Sequence, residues 1–86
     1  MQWSLNRGFD KTNIGDSQSQ VIAYLGIPAS KTGTGEPFPR VTGAGCELPC
    51  VVRFWYENRL FLDFEAWSVD LDLNSHVVDK YHWVSP

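Results

Sequence analysis

The sequence predicts an α+β domain in two layers: one short helix packed on a three- to four-stranded antiparallel meander, with a second N-terminal turn or helix allowed for. Residues 14–28 hold a helix whose two ends are both written into the side chains. Residues 51–84 alternate apolar and polar positions with the period of a strand. A helix of about two to three turns is marginal alone in water, so its apolar stripe must lie on something, and the rest of the chain offers strands.

Residues 1–13 mix polar groups with Trp3, Leu5 and Phe9 and read as a lead-in with a helical turn, pinned by its aromatics. Ser17 then stands at an N-cap, with Gln20 placed to reach back to it as a capping box. Val21, Ile22 and Leu25 fall on one face, Gly26 closes the helix, and Pro28 forbids its continuation. Residues 29–50 are rich in Gly and Pro and keep neither helical nor strand period, so they read as a long loop.

Val51 to Glu57 is β-branched and aromatic, and Glu57-Asn58-Arg59 suits a tight turn. Leu60, Leu62 and Phe64 alternate with Phe61, Asp63 and Glu65. From Trp67 the phase flips: Trp67, Val69, Leu71 and Leu73 share one face, with Ser68, Asp70 and Asp72 on the wet side, which requires a bulge or turn near Glu65-Ala66. Asn74-Ser75 marks a further turn before a last strand from His76 to Val84.

Eighty-six residues make a single domain, 1–86, which buries roughly 60–65% of its unfolded surface. Four Trp, five Phe and three Tyr are plentiful for that length. They serve first as core, each large ring burying about 150–250 Å². Net charge is −3 and the seven Lys and Arg are scattered, which argues against a nucleic-acid partner. No apolar run reaches the roughly 18 residues of a transmembrane helix. Met1-Gln-Trp-Ser-Leu-Asn-Arg7 lacks the apolar core of a secretion signal. The compartment stays open: periplasm or envelope if a signal has been removed, cytoplasm otherwise.

The order of helix, long variable loop and antiparallel meander resembles the SmpA/OmlA (BamE-like) family of small bacterial envelope lipoproteins. The helix carries the resemblance, through Gly15, Ser17, Gln20-Val21 and Leu25-Gly26-Ile27-Pro28. Phe54-Trp55-Tyr56 is similar to the family's aromatic strand, and Leu71-Asp72-Leu73-Asn74-Ser75-His76-Val77 to its later hairpin, with Ser75 where the family has Gly. The family's N-terminal lipidation Cys has no counterpart here. A related helix-plus-hairpin fold occurs in secreted enzyme inhibitors. Both resemblances imply a protein that acts by binding proteins.

Cys46 and Cys50 are the two cysteines. They form a disulfide if the loop brings their Cα atoms within about 7 Å, and otherwise remain thiols. Their spacing beside Pro49 differs from the redox motif with two intervening residues. A zinc site from Cys46, Cys50, His76 and His82 matches no common ligand spacing. Asp70-x-Asp72-x-Asn74 opens like a calcium loop but has Ser75 and Tyr81 where Gly and Glu are required. Asp63 and Glu65 share a strand face, as a wet strand surface also would. His76 and His82 have no nucleophile at a defined spacing. Neither Gly33-Thr-Gly35 nor Gly43-Ala-Gly45 opens a helix, so neither cradles phosphate. No metal or cofactor is expected.

The favoured expectation is a non-catalytic protein-binding module whose contacts come from Phe38, Arg40 and Leu48 in the loop and from Trp55 and Trp67 as aromatics the core cannot hold. An enzyme inhibitor or immunity-type protein is one alternative. A small-molecule binder or enzyme with a helix–sheet pocket, lined by Tyr24, Arg53 and His82, is another. Val77, Val78, Tyr81 and Trp83 would make a sticky edge for self-association.

Overall fold

The structure, a computed structural model, describes residues 5–36, 45–58 and 65–84. Two short helices, α1 (Leu5–Lys11) and α2 (Gln18–Leu25), cover one face of a four-stranded antiparallel sheet. Its strands are β1 (Ser30–Gly33), β2 (Val52–Asn58), β3 (Glu65–Leu71) and β4 (Val77–Val84), arranged in sequence order. The domain is α+β. No helix of the described residues is long and apolar enough to cross a membrane.

The second N-terminal element allowed for is a helix, α1. It packs so closely on α2 that a Cβ at Gly8 would sit 2.3 Å from the Tyr24 carbonyl oxygen. Buried Thr12 ends α1, its hydroxyl donating to the Gly8 carbonyl at 2.8 Å. At α2 the Ser17 side chain accepts from the Gln20 amide while the Gln20 side chain accepts from the Ser17 amide, a complete capping box. Gly26 stops the helix with φ near +86°, which a side chain would resist.

The start of α2 is also stitched to the sheet. Gly15 donates to the Val77 carbonyl, Val77 to that of Asp16, and Gln18 to that of Ser75. The β3–β4 turn therefore fixes where α2 begins. Helices and sheet bury Val21, Leu25, Phe54, Tyr56, Trp67, Val69, Leu71 and Val77 between them, with Leu5, Phe9, Ile22 and Tyr24 at the margin. Each fully buried large apolar side chain contributes about 1.5–3 kcal/mol.

Three strand expectations need correction. Ser30–Gly33, assigned to the loop, is a strand, because β2 supplies the pairing that Ser-Lys-Thr-Gly cannot advertise by apolar alternation. β2 runs on to Asn58, opposite Glu65, so Glu57 and Asn58 of the expected turn are strand residues, and Arg59 lies outside the described residues. Leu73 lies in the β3–β4 turn, 84% exposed, rather than continuing the Trp67–Val69–Leu71 face. The register also slips at Asp70/Leu71, where Val78 is the extra residue between partners Asp79 and Val77. The expected alternation of Leu60, Leu62 and Phe64, like Trp3 in the lead-in, lies outside the described residues.

Candidate functional site: a braced loop over a charged sheet face

The sheet face turned away from the helices, expected to be wet, is largely buried. Residues paired directly across antiparallel strands share a face. The register therefore lines up Thr32, Arg53, Asp70 and Asp79 in one row across all four strands. The next row holds Trp55, Ser68 and Tyr81, and the one after it Ala66 and Trp83. Thr32, Arg53, Trp55, Ser68 and Asp70 are all buried.

These polar groups tolerate burial because each meets a partner. Arg53 grips Asp70 with both prongs, Nε to Oδ1 at 2.5 Å and Nη2 to Oδ2 at 3.0 Å. Three rings surround the guanidinium carbon: Tyr81 at 5.2 Å, Trp55 at 5.5 Å and Trp83 at 5.9 Å. The Trp55 indole donates to Thr32 Oγ1 and the Trp83 indole to Ser68 Oγ, both at 2.9 Å. The Tyr81 hydroxyl donates to Asp79 Oδ2 at 2.6 Å. That hydrogen bond comes first among the causes that hold the Tyr81 phenol above its ordinary pKa; burial and the charges of Asp79 and Asp70 follow, and Arg53 opposes them.

A short loop stands beside this face. Cys46 and Cys50, both buried, form a disulfide with Cα atoms 5.6 Å apart. Its ends are anchored: Gly35 donates to the Cys46 carbonyl, the Thr34 hydroxyl donates to the Cys50 carbonyl, and Thr34 and Cys46 form a bridge. The Cys50 amide turns back to the Glu47 carbonyl across a cis Leu48–Pro49 bond. Glu47, Leu48 and Pro49 are left outside, Leu48 at 75% exposure. Between loop and sheet lies a cleft of about 250 Å³, lined by Glu47, Leu48, Arg53, Asp70, Asp79 and Tyr81 among others.

Of the contact residues expected from sequence, Leu48 is the one placed at the surface. Phe38 and Arg40 lie outside the described residues. Trp55 and Trp67 are core residues, at 0% and 2% exposure. Trp55 is closed in by Trp83 and Arg53, whereas Trp67 stacks on His82 at 5.1 Å and donates to Asn6 Oδ1. The expected pocket from Tyr24, Arg53 and His82 does not assemble. Tyr24 packs on the helix-side core and His82 stacks on Trp67 there, while Arg53 occupies the opposite face. His82 instead bonds Glu65 at 2.7 Å, and beside it Lys80 reaches the Phe9 carbonyl at 2.7 Å, clamping α1 to β4.

The edge strand β4 is less sticky than expected. Val77 is buried, Trp83 folds onto Ser68, and Lys80 puts a charge mid-strand. Sequence reading names Tyr81 as an edge residue and Arg53 as a pocket residue, but misses Asp79 and the pairing of Arg53 with Asp70. A signal for them exists: Arg53 is the charge inside an apolar strand run, and such a charge needs a partner on the neighbouring strand. Among the described residues no three His, Cys, Asp or Glu side chains gather as a metal-binding group. No protein-family model, curated protein or solved structure matches the chain.

Proposed function

We propose that this chain is a non-catalytic protein-binding module that contacts its partner through the Glu47–Leu48–Pro49 tip. The observation that carries this reading is Leu48 itself, an apolar side chain 75% exposed on a loop closed by a buried disulfide and tied to β1. Such a loop loses little conformational freedom on docking, so most of the contact energy is retained. A Leu on a flexible loop would have to be ordered first. The Arg53–Asp70 pair and Tyr81 line the cleft beside the tip. An accessory role in the bacterial envelope, as the resemblance to the SmpA/OmlA family implies, and an inhibitor that covers an enzyme's site are two forms of the same reading.

The test is affinity capture of partners from cytosolic and envelope extracts of the host, kept apart and non-reducing, with wild-type protein and a Leu48→Asp variant. A partner held by wild type and lost from the variant supports the module. Capture that ignores Leu48, or no capture, overturns it.

The cleft favours a second reading, a small-molecule site, because Arg53, Asp70, Asp79 and Tyr81 converge on it. Its volume of about 250 Å³ is below the roughly 300–1,000 Å³ typical of ligand pockets, which places this reading second.

A further inference from the structure

The tip residues Glu47, Leu48 and Pro49 also line the cleft, where three carboxylates, Glu47, Asp70 and Asp79, face one guanidinium, Arg53. Glu47 contributes a carboxylate from the loop and Asp79 another from β4, while Asp70 lies at the floor with Arg53 turned onto it. Asp70 and Asp79 are direct cross-strand partners; Arg53 answers the charge of Asp70, while Asp79 accepts from the Tyr81 hydroxyl at the cleft wall. Tyr81 adds a ring face at the same wall, and the Arg53 guanidinium carbon already lies 5.2 Å from that ring.

We propose that the partner is a protein surface pairing a lysine or arginine with an apolar hollow: the cation enters the cleft between Glu47 and Asp79 over the Tyr81 ring, and Leu48 fills the hollow beside it. This rests on the protein-binding reading above and adds the chemistry of the partner. The cleft has room for one long side chain, whose methylenes lie along the loop while its charged head reaches the carboxylates. The ring rewards a cation and not an anion. A net charge of −3 steers the same class of partner towards the protein over longer distances.

A displayed library of random peptides, panned against the intact oxidised protein, tests the proposal whatever the natural partner is. Selected peptides are expected to join a Lys or Arg to an adjacent apolar residue. Glu47→Lys and Asp79→Asn should each weaken them by up to about fivefold at unchanged melting temperature, the upper range for a rim ion pair. Asp79→Asn keeps an acceptor for the Tyr81 hydroxyl, so it removes the charge and leaves the bond. A consensus that is acidic or uncharged, or binding that ignores both variants, overturns the proposal. Peptides that depend on Leu48 but show no basic preference overturn the cation alone and leave the module reading standing. Peptides insensitive to Leu48→Asp, or no selected peptide at all, overturn both.

Discussion

Arg53 and Asp70 stand directly opposite one another on β2 and β3 and share two hydrogen bonds, at 3% and 4% exposure. A buried ion pair of this kind is weak as a source of net stability but costly to break, because the surviving partner is stranded in low dielectric. Asp70→Ala is therefore expected to lower unfolding free energy by about 3–5 kcal/mol. Joint replacement, Arg53→Met with Asp70→Leu, should recover most of that loss. Urea denaturation of Asp70→Ala and of the double variant checks the difference.

The contact between α1 and α2 depends on Gly8. Gly8→Ala would bring a methyl against the Tyr24 carbonyl, which is backbone and cannot rotate away. A loss of about 1–3 kcal/mol is expected, in the range of overpacked cores. Amide exchange should show α1 opening first, while β2 and β3 keep their protection.

Ser17→Ala removes the acceptor for the Gln20 amide and should cost about 1 kcal/mol, whereas Ser17→Gly should cost only a few tenths. Thermal unfolding of the two variants side by side separates the cap from a general effect of removing the hydroxyl.

Alkaline stability follows from Tyr56. Its hydroxyl donates to the Gly26 carbonyl at 2.9 Å, and burial pushes its phenol well above the usual value near 10. Between about pH 10 and that raised value the folded protein binds a proton that the unfolded chain has released. The stabilisation is thus complete below pH 10 and lost as pH rises through the folded pKa, at up to about 1.4 kcal/mol per pH unit. Tyr56→Phe should lower neutral-pH stability by about 1 kcal/mol and flatten the alkaline limb. Denaturant titrations from pH 7 to 11 read both effects.

The disulfide closes a loop of five residues, Cys46 to Cys50, and chain entropy assigns it about 2 kcal/mol. Both cysteines are buried, so reduction by dithiothreitol should be slow in buffer and accelerate in mild denaturant. The reduced protein should stay folded with a lower denaturation midpoint. A protein that unfolds outright on reduction would show that the bond carries more than loop entropy.

Helix α2 is legible in the sequence because its information is local: Ser17, Gln20, Gly26 and Pro28 lie within one stretch and act on the backbone beside them. The meander is legible for the same reason, through alternation and the Asn74-Ser75 turn. β1 is not, since Ser30–Gly33 becomes a strand only through its partners on β2. The far face misleads for a related cause. Ser68 and Asp70 alternate with apolar residues as a wet surface would, and their burial is sustained by Trp83 and Arg53, which lie elsewhere in sequence. Leu48 reads as a surface residue because it sits in a loop, but the sequence alone offers no reason to separate it from Trp55, which reads as equally prominent and is wholly buried.

The most direct measurement is the affinity of a captured partner for wild-type protein and for Leu48→Asp, both oxidised and with matching melting temperatures. If the tip is the contact, the variant should bind at least about tenfold more weakly, the 1.4 kcal/mol expected as a minimum for a residue at the centre of an interface. Equal affinities would place the contact elsewhere on the molecule and contradict the assignment of the loop.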